Sequence, residues 1–266
     1  MPEIDNALIY LFHGREEDTQ LEKLFEKLKQ ELNLSEEEAH NEKSFRDRVL
    51  GEIEELIGAP ESSFYSYMGR ILKSIYGCQL GALDLTGAEN YNLYLLHVIL
   101  AKGLYEPGDE REKKLINILK ILAGADKIYF EKKGNLRTAD DIIEKYFKKL
   151  NDVVSRKILH EVEKLAEQKG YEELSEKIEK ILEDISSREN PQPYYRCLCS
   201  KLYESSDSCP EEIKRELQDL LHIIDELKKK VQDDPAKKRR RTLTLLLALL
   251  LVLLLALSLF IHFARG

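Results

Sequence analysis

Residues 138–187 read TADDIIEKYFKKLNDVVSRKILHEVEKLAEQKGYEELSEKIEKILEDISS. Ile142, Ile143, Tyr146, Phe147, Leu150, Val153, Val154, Ile158, Leu159, Val162 and Leu165 recur three and four residues apart. On a helix of 3.6 residues per turn that spacing gathers them into one stripe. Thr138 stands at the N-cap position, and Gly170 stands where a C-cap glycine belongs. Leu174, Ile178, Ile181, Leu182 and Ile185 then repeat the pattern, so the stretch predicts two helices, about 139–169 and 171–187, folded back as an antiparallel pair. This reading sets the fold class as mainly α: a multi-helix bundle followed by a helical stalk and one C-terminal transmembrane helix.

The same periodicity runs upstream. Leu21, Leu24, Phe25, Leu28 and Leu32 share a face, and Ser35 with Glu38 forms a capping box for a helix reaching about Ile57. Gly58 and Pro60 stop that helix. Residues 61–105 are sparse in charge and dense in aromatics, and predict helices over about 62–76 and 88–103. They have two readings: a buried central layer, or a partner groove built from Phe64, Tyr67, Tyr91, Tyr94 and Leu95. Base rates for apolar helical faces favour the buried layer. Asp109 caps a helix over about 110–123 that ends at Gly124. Ala7–Phe12 fits either a strand or a helix end, and Lys127–Lys133 is a second strand candidate.

Downstream, Asn190-Pro191-Gln192-Pro193 marks a boundary. Residues 188–236 read as a linker and stalk whose Ile213, Leu217, Leu220, Ile224, Leu227 and Val231 fall at heptad spacing. A collar follows at Lys237, Lys238, Arg239, Arg240 and Arg241. Residues 242–263, TLTLLLALLLVLLLALSLFIHF, contain no Asp, Glu, Lys or Arg, and 12 of these 22 residues are Leu. As a helix they would extend roughly 33 Å, enough for a hydrocarbon core of about 30 Å.

Charge divides the chain in the same way. Residues 237–266 hold six basic and no acidic groups out of a total of 41 basic and 49 acidic, which leaves residues 1–236 with 35 and 49, a net −14. An acidic body disfavours nucleic acid, whereas the collar suits anionic headgroups. Five positive charges precede the apolar segment and one follows it, which predicts a body, residues 1–187, on the cytosolic side. The N-terminus carries no secretory signal pattern. The expected molecule is therefore a tail-anchored single-pass protein, in the endoplasmic reticulum or a related membrane of a eukaryote, or in a bacterial inner membrane. Cys78, Cys197, Cys199 and Cys209 would then face a reducing compartment as thiols.

Motifs for chemistry are short. Arg215 and His222, with six residues between them, resemble the Arg–His pair of HEPN ribonucleases. His13-Gly14 after an apolar run resembles the strand-end pair of α/β-hydrolases, but no G-x-S-x-G nucleophile elbow accompanies it. His13, His97 and His222 with Arg215 are the candidates for a membrane-tethered nuclease or hydrolase. Cys197, Cys199 and Cys209 are the candidates for a metal, although a one-residue gap is narrow for zinc. The seam resembles the helix that SNARE proteins place before a C-terminal span, which implies a tethering factor or a homodimer through the stalk. The leading expectation is a scaffold or protein-interaction module without a cofactor, held at a membrane and binding a protein partner.

Overall fold

A computed structural model describes residues 2–58, 63–78, 80, 91–166, 171–204 and 209–233. The described residues form twelve helices and no strand. They are α1 (Pro2–Gly14), α2 (Thr19–Leu32), α3 (Glu36–His40), α4 (Glu42–Ile57), α5 (Ser63–Tyr76), α6 (Asn92–Ala101), α7 (Glu110–Lys132), α8 (Leu136–Ala166), α9 (Tyr171–Ser186), α10 (Gln192–Tyr203), α11 (Glu211–Glu216) and α12 (Gln218–Asp233). The collar and residues 242–263 lie outside the described residues, as does the Gly170 cap. Among the described residues no helix is long and apolar enough to cross a membrane.

The mainly α expectation holds, and both strand candidates are helical. In α1 the buried residues are Ile4, Ala7, Leu8 and Leu11, a spacing of 3, 1 and 3 that only a helix brings to one side. The run Ala7–Phe12 looks continuous because Tyr10 and Phe12 pack the flanks of the same core. Gly124 does not end its helix. A Cβ there would meet Leu24 of α2 at an ordinary contact distance of 3.4 Å, and the helix continues through the second strand candidate to Lys132. Gly134 (φ 70°) makes the stop instead. Asn135 N bonds back to Phe130 O at 2.9 Å, and α8 starts at Leu136, ahead of Thr138.

Capping sets the other boundaries. Asp18 accepts from Gln20 N and Leu21 N to open α2, and Asn33 closes it in the left-handed region at φ 50°. The predicted box forms at Ser35 and Glu38. That helix breaks at Asn41, whose side chain accepts from Ser44 N at 2.9 Å and opens α4. Gly58 (φ 77°) closes α4, and Asp109 opens α7 by accepting from Glu112 N.

One apolar cluster runs from Ile4 to Ile224. Helices α1, α2, α4 and α6 surround α7, while α9, α10 and α12 pack on α8, and α10 also packs on α5. Phe12, Phe25 and Phe45 meet at ring separations of 5.0–6.2 Å, with the Arg15 guanidinium 4.0 Å from the Phe25 centroid. Each fully buried side chain of this size contributes about 1.5–3 kcal/mol. Ion pairs join the helices at the edges: Asp5 takes both Arg46 nitrogens at 2.8 and 2.7 Å, and buried Glu52 accepts from Arg48 and Lys114.

The cysteines correct the expectation of free thiols. Cys78 pairs with Cys199 (Cα–Cα 5.5 Å), and Cys197 pairs with Cys209 (Cα–Cα 4.9 Å). The bonds close loops of 121 and 12 residues, worth roughly 5 and 3 kcal/mol as loss of unfolded-chain entropy. Beside the first bond, Gly77 has φ 69°, and a Cβ on it would stand 2.9 Å from Arg196 O. Only glycine lets the end of α5 approach α10 this closely.

Candidate functional site

Along α8 the inward stripe carries one polar residue, Asn151, which is buried. Its Oδ1 accepts from the Tyr76 hydroxyl of α5 at 2.9 Å. Gln192 opens α10, is buried next to Tyr76, and leaves Oε1 without a hydrogen-bond partner. Burial pushes the Tyr76 phenol well above its usual range, so it stays a donor. Tyr195 packs 6.1 Å from the Tyr76 ring and shares a 2.8 Å hydrogen bond with Ser155.

Asn151 and Gln192 line a cleft of about 680 Å³ between the end of α6, one face of α8 and the α9–α10 connection. Val98, Leu104, Ile143, Phe147 and Pro191 make its apolar surface. Lys102, Lys148 and Arg188 line it together with Asp140, Glu144, Asp152 and Glu189. Asp140 accepts from the Tyr94 hydroxyl, which fixes α8 against α6. Arg188 bonds Asp184 at 2.9 Å and Glu216 at 2.5 Å, and lies 4.2 Å from the Tyr194 ring centroid. This lining suits an extended ligand that offers an apolar group between charges of both signs, as a peptide segment does.

A second polar site lies where α1, α6 and α7 meet. Glu3 accepts from Asn92 N at 3.1 Å and so caps α6 from another helix. Burial pushes the Glu3 carboxyl up to about 7, with the charge of Asp126 adding to the shift. Asp126 is pushed up to about 7 by burial.

The histidines singled out from the sequence stand on three different helices, each with its own partner. His13 is exposed and meets Glu42 at 3.0 Å. His97 is half-buried against the Tyr94 ring at 6.1 Å, and burial followed by the charges of Lys127 and Lys120 lowers its pKa. His222 is exposed, 3.5 Å from Glu226, while the Arg215 Nε donates back to Glu211 O. Cys197, Cys199 and Cys209 are held in disulfides and offer no thiolate to a metal. Among the described residues no group of three or more His, Cys, Asp or Glu is placed to hold a metal ion.

The aromatic set belongs to the core. Phe64, Tyr67, Tyr94 and Leu95 are buried, and Tyr91 stacks on Phe130 at 5.3 Å. In the heptad seam Leu217, Leu220 and Ile224 are buried in the chain's own core, with Ile213 and Leu227 packed at its margin. Helix α12 rests on α8 and α10.

The cleft was not read from the sequence. Asn151 inside an apolar stripe is the one mark of it there, while Tyr76 and Gln192 lie far from Asn151 in the chain and give no local pattern. The chain matches no family model, no curated protein and no solved structure.

Proposed function

We propose that the chain is a membrane-tethered protein-interaction module, with its helical body on the cytosolic side. The observation that carries the tether is the run of 22 residues at 242–263 without an acid, Lys or Arg, preceded by five consecutive basic residues. The net −14 of residues 1–236 supports a protein partner over nucleic acid or a lipid face. The cleft beside α8 supports a segment of that partner as the ligand, because its lining combines apolar side chains with charges of both signs.

The test compares the full chain with a form truncated after Asp234. Full-length protein is expected to resist alkaline carbonate extraction, and the truncated form to be released. Proximity labelling with both forms is expected to enrich the same one or two proteins, and Phe147→Asp in the cleft is expected to remove them. Release of the full chain by carbonate would refute the tether. Enrichment that survives Phe147→Asp would refute the cleft as the docking surface.

A further inference from the structure

Cys197 and Cys199 are two positions apart on α10, which turns them about 200° from each other around the helix. They therefore cannot pair together and must bond to different neighbours. Cys199 reaches Cys78 at the end of α5, and Cys197 reaches Cys209 just ahead of α11. The two bonds differ in access. Cys78 and Cys199 are 1 % and 0 % exposed, within the core. Cys197 is 2 % exposed, but Cys209 is only half-buried, at the core's margin.

A body in a reducing compartment with two disulfides is a specific combination, because intracellular disulfides in such compartments are mostly transient and redox-sensing. We propose that Cys197–Cys209 is a redox clasp that keeps α11–α12 on its own α8 and α10. Opened by a thiol of the glutathione class, it lets two copies of this chain exchange these helices. The proposal rests on the cytosolic placement of the body.

The chemistry is thiol–disulfide exchange. An external thiolate attacks the Cys209 sulfur, the S–S bond breaks, and its electron pair leaves on Cys197, which takes a proton. A second external thiol attacks the mixed disulfide and frees Cys209 as a thiol. Two thiols become one disulfide, and the protein gains two electrons and two protons. The buried Cys78–Cys199 bond stays closed and keeps α10 on α5.

The occupant is a second copy because the contacts are identical. Leu217, Leu220 and Ile224 of one copy fit the α8–α10 surface of the other as they fit their own. Among the described residues, polar contacts that remain after reduction include Lys201–Asp225 at 2.7 Å, Arg188–Glu216 at 2.5 Å, the Tyr194 hydroxyl to Glu216 at 3.1 Å, and Lys228 to Lys201 O and Glu204. A shared membrane plane raises the effective concentration of copies.

The full chain in detergent micelles is equilibrated with oxidised or reduced glutathione, alkylated for mass spectrometry, and sized by light scattering. Cys197 and Cys209 are expected to become alkylated in reduced glutathione while Cys78 and Cys199 stay protected. The dimer fraction is expected to rise at least fivefold, and Cys197→Ser/Cys209→Ser to dimerise under either condition. Mixing reduced Lys201→Asp with reduced Asp225→Lys restores the pair only across copies, so the ratio of heterodimer to homodimer is expected to rise at least about fourfold above the statistical one. Resistance of Cys197–Cys209 to reduced glutathione would overturn the clasp, as would a reduced protein that stays monomeric. A statistical share of heterodimer would overturn helix exchange in favour of seam-to-seam pairing. Protease protection in sealed vesicles separates the underlying reading. A body enclosed in an oxidising lumen overturns the cytosolic placement and the switch together, whereas a cytosolic body without a dimer overturns the clasp alone.

Discussion

Helices α1, α2 and α4 hold to α7 through side chains alone, whereas α10 is also bonded covalently, to the end of α5 and to the residue two ahead of α11. Helix α2 buries Leu21, Phe25, Leu28 and Leu32 in 14 residues, and α7 buries ten side chains in 23. Helix α11, by contrast, has no buried residue in its six. A helix that short forms little structure by itself and removes little apolar surface from water. At α11, where apolar depth runs out, the Cys197–Cys209 bond just ahead of the helix restrains the chain instead, whereas Cys78–Cys199 adds its restraint inside the core.

This contrast can be broken most directly at the long staple. Cys78→Ser/Cys199→Ser is expected to lower the unfolding free energy by roughly 5 kcal/mol under oxidising conditions. The difference should vanish when both proteins are denatured in urea with a strong dithiol present. A loss that persists under reduction would mean that packing of the two sulfurs, and not loop closure, does the holding. Phe45→Ala is expected to cost about 3–5 kcal/mol with or without the dithiol, because its ring fills the all-side-chain layer. A strong dependence of that loss on reductant would show that the two layers unfold as one unit.

Smaller effects sharpen the boundary. Gly77→Ala is expected to cost about 1–3 kcal/mol, measured as a lower thermal midpoint, since it combines positive φ with a 2.9 Å approach to Arg196 O. The carboxyls of Glu3 and Asp126, both pushed up to about 7 from 4.5 and 3.8, bind more protons folded than unfolded. Their contribution is fully present below pH 4 and is lost as pH rises through 7, so stability should fall across that interval. Thermal midpoints of Glu3→Gln and Asp126→Asn between pH 4 and 7.5 should each show a shallower fall, and an unchanged slope would remove these groups as its source. The smallest effect belongs to Gly124→Ala. A gain of up to about 1 kcal/mol is expected, because the added Cβ meets Leu24 at an ordinary contact distance of 3.4 Å. A loss there would mean that α2 and α7 cannot part by a few tenths of an ångström.

Much of the helix layout was legible, because apolar spacing on amphipathic helices is a local signal. Leu21 to Leu32, the Ser35–Glu38 box, the Asp109 cap and the apolar stripe of α8 all stand where the sequence placed them. Boundaries failed where one residue type serves two purposes. Gly124 carries the signal of a stop, yet it sits inside α7 against Leu24, and the helix runs on to Lys132. Asn41 interrupts an apparently continuous helix because its side chain can cap the next one. The site was hardly legible, since its pieces are far apart in sequence: Tyr76 and Asn151 are separated by 75 positions, and Cys78 and Cys199 by 121. Charge bias around residues 237–263 pointed to free thiols, and only the tertiary pairing of the cysteines reveals bonds.

The central place of α7 has a consequence for how the molecule breathes. Helix α7 buries ten side chains and packs against α1, α2, α4 and α6, while Asn117 and Lys120 mark its exposed face. Loss of any one neighbour leaves the other three packed on it. The amides of α7 should therefore exchange with deuterium only through global opening, and their protection reports the stability of the whole body. The amides of α11, which has no buried side chain, should exchange by local fraying and report the state of the clasp.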